Sequence, residues 1–81
     1  MNALGYELLQ EGKTEDAIEI FKLNVSAFPN SSNVYDSLGE AYMTAGEKEP
    51  AISNYERSLE LNPSNAGAVE ARKRLRESAP E

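Results

Sequence analysis

Carboxylates are the only side chains here whose types and spacing could do chemistry. Glu15, Asp16 and Glu19 lie close together, and Glu47 and Glu49 form a second group. Paired carboxylates act as acid and base when a pocket separates their pKa values, and a nucleophile needs a base beside it. Those companions are missing. The chain has no histidine and no cysteine. That excludes imidazole bases, Ser-His-Asp triads, thiol nucleophiles, disulfides and the usual zinc ligands. A calcium loop needs alternating oxygen ligands around a central glycine, and a phosphate cradle needs a glycine-rich loop; neither pattern occurs. Both acidic groups stand where helices are expected to begin, where the helix dipole favours negative charge. The sequence therefore predicts no enzyme, no metal and no cofactor, and leaves binding as the function.

The elements that must position a binding surface are few. The chain has 81 residues, 40% of them apolar and 27% charged. That is one small soluble domain with a thin core, too apolar to be disordered. The charge is 8 basic against 14 acidic residues, a net of −6. Nucleic acids and anionic membranes both reward a basic surface, so neither is an expected partner. No apolar run approaches the roughly 20 residues of a membrane helix. A soluble, by default cytoplasmic location is expected, or an exported one if a parent chain carries a signal peptide.

A shift of 34 residues brings the chain into register with itself. Leu4 meets Leu38, Gly5 meets Gly39, Gly12 meets Gly46 and Glu15 meets Glu49. Ala17 meets Ala51, Ile18 meets Ile52 and Pro29 meets Pro63. These are 7 identities over 31 aligned pairs, where chance gives roughly two. Phe21 against Tyr55 is a conservative match in the same frame.

Each unit reads as helix, turn, helix. Val34, Tyr35, Leu38, Tyr42 and Ala45 recur at helical spacing before Gly46. Ala51, Ile52, Tyr55 and Leu59 form the next stripe, which Asn62-Pro63 ends. In the first unit Leu4 and Leu8 precede Gly12, and Ala17, Ile18, Phe21 and Val25 run to Pro29. Thr14, Ser31 and Asn65 are the expected helix caps. The expected helices span 2–11, 15–28, 32–45, 49–61 and 65–77. No stretch alternates as a strand would.

The second unit, Tyr35-x2-Leu38-Gly39-x2-Tyr42, Ala51-x3-Tyr55 and Pro63, resembles a tetratricopeptide repeat. The first unit follows with Leu4, Gly5, Leu8, Ala17, Phe21 and Pro29. The resemblance implies an all-α fold of antiparallel helix-turn-helix repeats in a short right-handed superhelix. It divides one domain into a first unit at 1–31, its first helix shortened, a second unit at 32–65, and a capping helix and tail at 66–81. Gly5 and Gly39 are expected at the closest helix crossing, with Ala17 and Ala51 opposite. Asn24 and Ser58 replace small apolar residues and should weaken packing slightly. In the last helix Ala68, Val69, Ala71 and Leu75 give an apolar edge, with Glu70–Arg74 and Lys73–Glu77 as neighbouring pairs. The units also resemble C-terminal repeats trailing larger bacterial chains, serine hydrolases among them.

What the resemblance implies about function is a protein-interaction or scaffold module that takes a peptide or helix in its concave groove. The alternative is a non-catalytic accessory or self-association domain of a larger bacterial hydrolase. The family's register assigns Asn2, Tyr6, Leu9 and Gln10 to the groove, with Asn33, Asp36, Glu40, Met43 and Thr44 from the second unit. The floor is apolar, and Asp36 and Glu40 add negative charge with no lysine or arginine among these positions. The expected partner is a protein or peptide, apolar with basic character, with self-association as a further outcome. One subset of the family grips acidic C-termini with lysine, arginine and asparagine. Those positions here hold Asn2, Tyr6, Ser37, Gly67 and Ala71, so that clamp is absent.

Overall fold

The computed structural model describes the backbone of residues 2–77 and the side chains of residues 4–77. The first unit's start at residue 1 and the tail 78–81 lie outside the described residues. Five helices follow in order: α1 (Asn2–Gln10), α2 (Thr14–Ala27), α3 (Ser32–Thr44), α4 (Lys48–Leu61) and α5 (Ala66–Glu77). Their ends fall within one residue of the expected spans, and no strand occurs among the described residues. Consecutive helices pack on one another, and α1 also touches α3. The molecule is an all-α array of two helix pairs, α1/α2 and α3/α4, with α5 laid against α4.

Glycine sets the turn inside each pair. Gly12 and Gly46 take φ of 82° and 80°, a left-handed conformation that glycine enters without a Cβ penalty. The next amide then turns back into the helix just ended. Lys13 N donates to the Leu8 carbonyl at 2.8 Å, and Glu47 N to the Tyr42 carbonyl at 2.9 Å. This six-residue closure satisfies carbonyls that a helix end leaves open. It also corrects one expectation. The chain re-enters a helix so soon that the Lys13 carbonyl already accepts from Ala17 N at 3.0 Å. Thr14 is therefore the first helical residue, and the N-cap is Lys13, whose side chain makes no capping bond. Ser31 holds the N-cap position of α3 but also makes no side-chain cap. Asn65 does cap: its Oδ1 accepts from Ala68 N at 3.3 Å.

The crossing inside each pair is closed by an aromatic ring against a glycine. A Cβ on Gly39 would stand 3.1 Å from Cζ of Tyr55, and one on Gly5 would stand 2.5 Å from Cζ of Phe21. The residue facing each glycine is thus the ring at the later position, rather than Ala51 or Ala17 as expected. The two alanines are fully buried one turn earlier on the same helices. Their small size lets α2 and α4 lie close enough for the rings to reach.

Between the pairs, Leu38 and Ala41 of α3 pack into Ala17, Ile18 and Phe21 of α2. Among the described residues, the equivalent face of α1 has no such neighbour. Leu4, expected in the core, is 49% exposed, whereas its counterpart Leu38 is 5% exposed. Glu7 stands exposed where Ala41 is fully buried. Tyr42 lies against both core clusters, and the second comprises Ala51, Tyr55, Ala68 and Leu75. The Tyr35 hydroxyl donates to the Pro29 carbonyl at 2.9 Å, tying α3 to the turn before it.

Ser58 overturns its expected role as a packing defect. It is fully buried. Its hydroxyl donates to the Ser32 carbonyl at 3.0 Å and accepts from Asn65 Nδ2 at 3.0 Å. One serine thereby joins the starts of α3 and α5 to the last turn of α4. On α5 the buried residues are Ala68 and Leu75, while Val69 is 42% exposed. Glu70 pairs with Arg74 at 3.4 Å. Arg76 reaches Glu56 on α4, and the Lys73–Glu77 pair is not among the ion pairs of the described residues.

Two stability predictions follow from these contacts. Gly5→Ala should destabilise by about 1–3 kcal/mol, because the wholly buried Phe21 ring cannot move aside. Gly39→Ala should stay within about 1 kcal/mol of the parent, since the gain in helix propensity offsets a small shift of Tyr55. Chemical denaturation of both variants tests this order. Ser58→Ala should cost about 1–3 kcal/mol by removing its bonds to the Ser32 carbonyl and the Asn65 amide; an unchanged midpoint would contradict that role.

Candidate functional site

The candidate surface is built on the first helix of each pair. On α3, Asn33, Asp36, Glu40, Met43 and Thr44 recur three, four or one residue apart along one side of the helix. Tyr6 comes from α1. Its ring packs edge-on against Phe21, with centroids 5.2 Å apart and planes at 65°. That contact aims the hydroxyl at α3, where it lies 2.9 Å from Ser37 Oγ and donates to Glu40 Oε1 at 3.1 Å. Tyr6 is therefore a bridge between the two first helices rather than part of a free apolar floor.

The charges here are partly withdrawn from water. Asp36 is half-buried, and burial, reinforced by the neighbouring Glu40 charge, holds its carboxyl above the usual aspartate range. Burial also raises Tyr6, with Ser37 opposing and Glu40 adding to the shift. Tyr55, from α4, shares the environment: burial first, then Asp36 and Glu40, push its phenol above the ordinary tyrosine range. No group with at least three acidic residues that could hold a metal occurs among the described residues.

The other expected groove residues divide. Met43 is 39% exposed, and Gln10 and Asn33 are exposed. Leu9 turns to the core, packed against the Ala17–Phe21 cluster. The Thr44 hydroxyl donates to the Glu40 carbonyl at 3.0 Å, so it is occupied within its own helix. The side chain of Asn2 lies outside the described residues.

Sequence reasoning missed the contribution of α5. Met43, Gly67, Glu70, Ala71 and Arg74 line a recess of about 280 Å³. The signal was available. A shift of 34 carries Asn33, Asp36 and Glu40 onto Gly67, Glu70 and Arg74. Reading α5 only as a cap hid this continuation, and with it one arginine beside the acidic surface. The acidic turn residues gather elsewhere: Glu15, Glu19 and Glu47 line a shallow recess of about 240 Å³ with Ile18, Lys22 and Tyr42.

Comparison with known proteins agrees with this geometry. Residues 32–65 match the family model described as Tetratricopeptide repeat, the stretch that holds α3 and α4. The chain is 31% identical over 65 residues to Superkiller complex protein 3 of Homo sapiens, covering 80% of this chain and 4% of that protein. It is 42% identical over 55 residues to Heat shock protein STI1 of Saccharomyces cerevisiae, covering 68% of this chain and 9% of that protein. The chain thus spans less than a tenth of the length of either relative.

The raised Asp36 pKa has a direct consequence for stability. Because the folded value lies above the unfolded one, the ionised carboxylate opposes folding once pH exceeds the folded value. The penalty is absent below the unfolded value. Asp36→Asn should therefore raise the melting temperature near pH 7, and the gain should vanish by about pH 3. Thermal scans of both proteins across that range check the sign.

Proposed function

We propose that this domain is a non-catalytic protein-interaction module whose concave face receives a peptide or helix of apolar and basic character. The observation that carries the reading is the half-buried Asp36 beside Glu40 on the exposed side of α3. Two carboxylates held close together on a surface, one at a cost in desolvation, attract a cation more strongly than freely solvated ones do. Met43, one turn along, adds a flexible apolar contact that adapts to different partners. The family resemblance of residues 32–65, and one relative being, as its name states, a protein of the Superkiller complex, support interaction over catalysis.

A second reading, self-association, has one observation in its favour. Leu4 is 49% exposed on the face that, one unit later, packs Leu38 against α2. Sedimentation at several concentrations separates the two readings, and a monomer throughout discards the second.

A basic, partly apolar peptide should bind more weakly as salt rises, while an acidic peptide with a free C-terminus should bind poorly. The double variant Asp36→Asn, Glu40→Gln should weaken the basic peptide roughly three- to tenfold, the value of one or two exposed ion pairs. Titration calorimetry at low and moderate salt measures this. Tighter binding of the acidic peptide would refute the reading.

A further inference from the structure

The recess between α3 and α5 differs in chemistry from the acidic surface next to it. Its uncharged lining is Met43, Gly67 and Ala71. Gly67 carries no side chain, and a Cβ built there would meet nothing closer than Asn65 Oδ1 at 3.6 Å. The space above it is therefore open. The two rim charges, Glu70 and Arg74, lie 3.4 Å apart and satisfy each other. A charged occupant would gain little from a rim already neutralised. At about 280 Å³ the recess is below the usual size of a small-molecule pocket, and suits one large side chain projecting from a chain laid along α3.

Its position relative to Asp36 and Glu40 fixes a spacing. From the midpoint of those two residues to Met43 is five residues of α3, or about 7.5 Å at the helical rise. An extended chain advances about 3.3 Å per residue and shows every second side chain to the same side. Side chains at i and i+2 lie roughly 6.6 Å apart on one face, which matches; i and i+4 overshoot, and i+1 points away.

Resting on the groove reading above, we propose that the partner is an extended segment with a lysine or arginine over Asp36 and Glu40 and, two residues away, an aliphatic or aromatic side chain seated in the Met43–Gly67–Ala71 recess. The basic residue supplies attraction, and the apolar anchor supplies the specificity that two surface carboxylates alone lack.

The test uses the whole chain and short synthetic peptides, each holding one arginine and one leucine at separations of one, two or four residues, in both orders. An arginine peptide with alanine in place of leucine is the control. The separation of two should bind best in one of the two orders, roughly tenfold tighter than the alanine control. Gly67→Leu plugs the recess at an exposed helical position and should remove that advantage, bringing the leucine peptide down to the affinity of the alanine control. Met43→Ala is a second variant, which removes the floor and should also weaken the preferred peptide. If arginine peptides bind through Asp36 and Glu40 but show no dependence on spacing or on Gly67→Leu, the anchor proposal is overturned and the groove reading stands. If no peptide responds to Asp36→Asn with Glu40→Gln, both fall.

Discussion

The structure depends on one contact made twice: an aromatic ring pressed onto a glycine where two helices of a pair cross. Phe21 closes on Gly5 and Tyr55 on Gly39. A Cβ at Gly5 would run into the Phe21 ring, while one at Gly39 would crowd Tyr55 and shift it slightly. In a chain of 81 residues no large core exists to compensate, so the pair is held by this junction and the few residues around it. Phe21 is wholly buried and Tyr55 is 3% exposed. Each ring therefore serves twice, as the wedge within its own pair and as the wall against which the next helix packs.

From that junction the rest follows in order. Leu38 and Ala41 lie on the α2 surface that Phe21 completes, and Ala68 and Leu75 lie in the cluster that Tyr55 anchors. Ser58 adds direction to the stacking, because its two hydrogen bonds accept only one placement of Ser32 and Asn65. A buried polar group without both partners would be costly. The serine thus exchanges some apolar burial for a defined register between α3, α4 and α5.

The proposed binding surface inherits its geometry from the same contacts. Tyr6 reaches Ser37 and Glu40 only because its ring stands edge-on against Phe21. Asp36 is raised in pKa because the helices that support it also exclude water from it. On the proposed reading, stability and recognition pull against each other at that residue: burial of Asp36 weakens the fold near neutral pH and is what would draw a cation to the surface.

Much of this was legible in the sequence. The 34-residue register located both pairs and their glycine turns, because glycine at a left-handed turn and proline after a helix are local requirements that no neighbour can override. It also placed Asp36, Glu40 and Met43 on one face, since helical spacing alone decides that. Residues with two partners in space were not legible. Leu4 and Leu38 are identical in type and register, yet one is exposed and one buried, because Leu38 lies against α2. Ser58 reads as a defect until Ser32 and Asn65 are brought to it. Ala71 reads as part of a cap's apolar edge, and Gly67 only as a position where a clamp is absent, until α5 lies beside Met43. Local chain chemistry determined the elements and their order. Which faces meet, which charges lose water and where a recess opens were decided by packing between helices far apart in the chain.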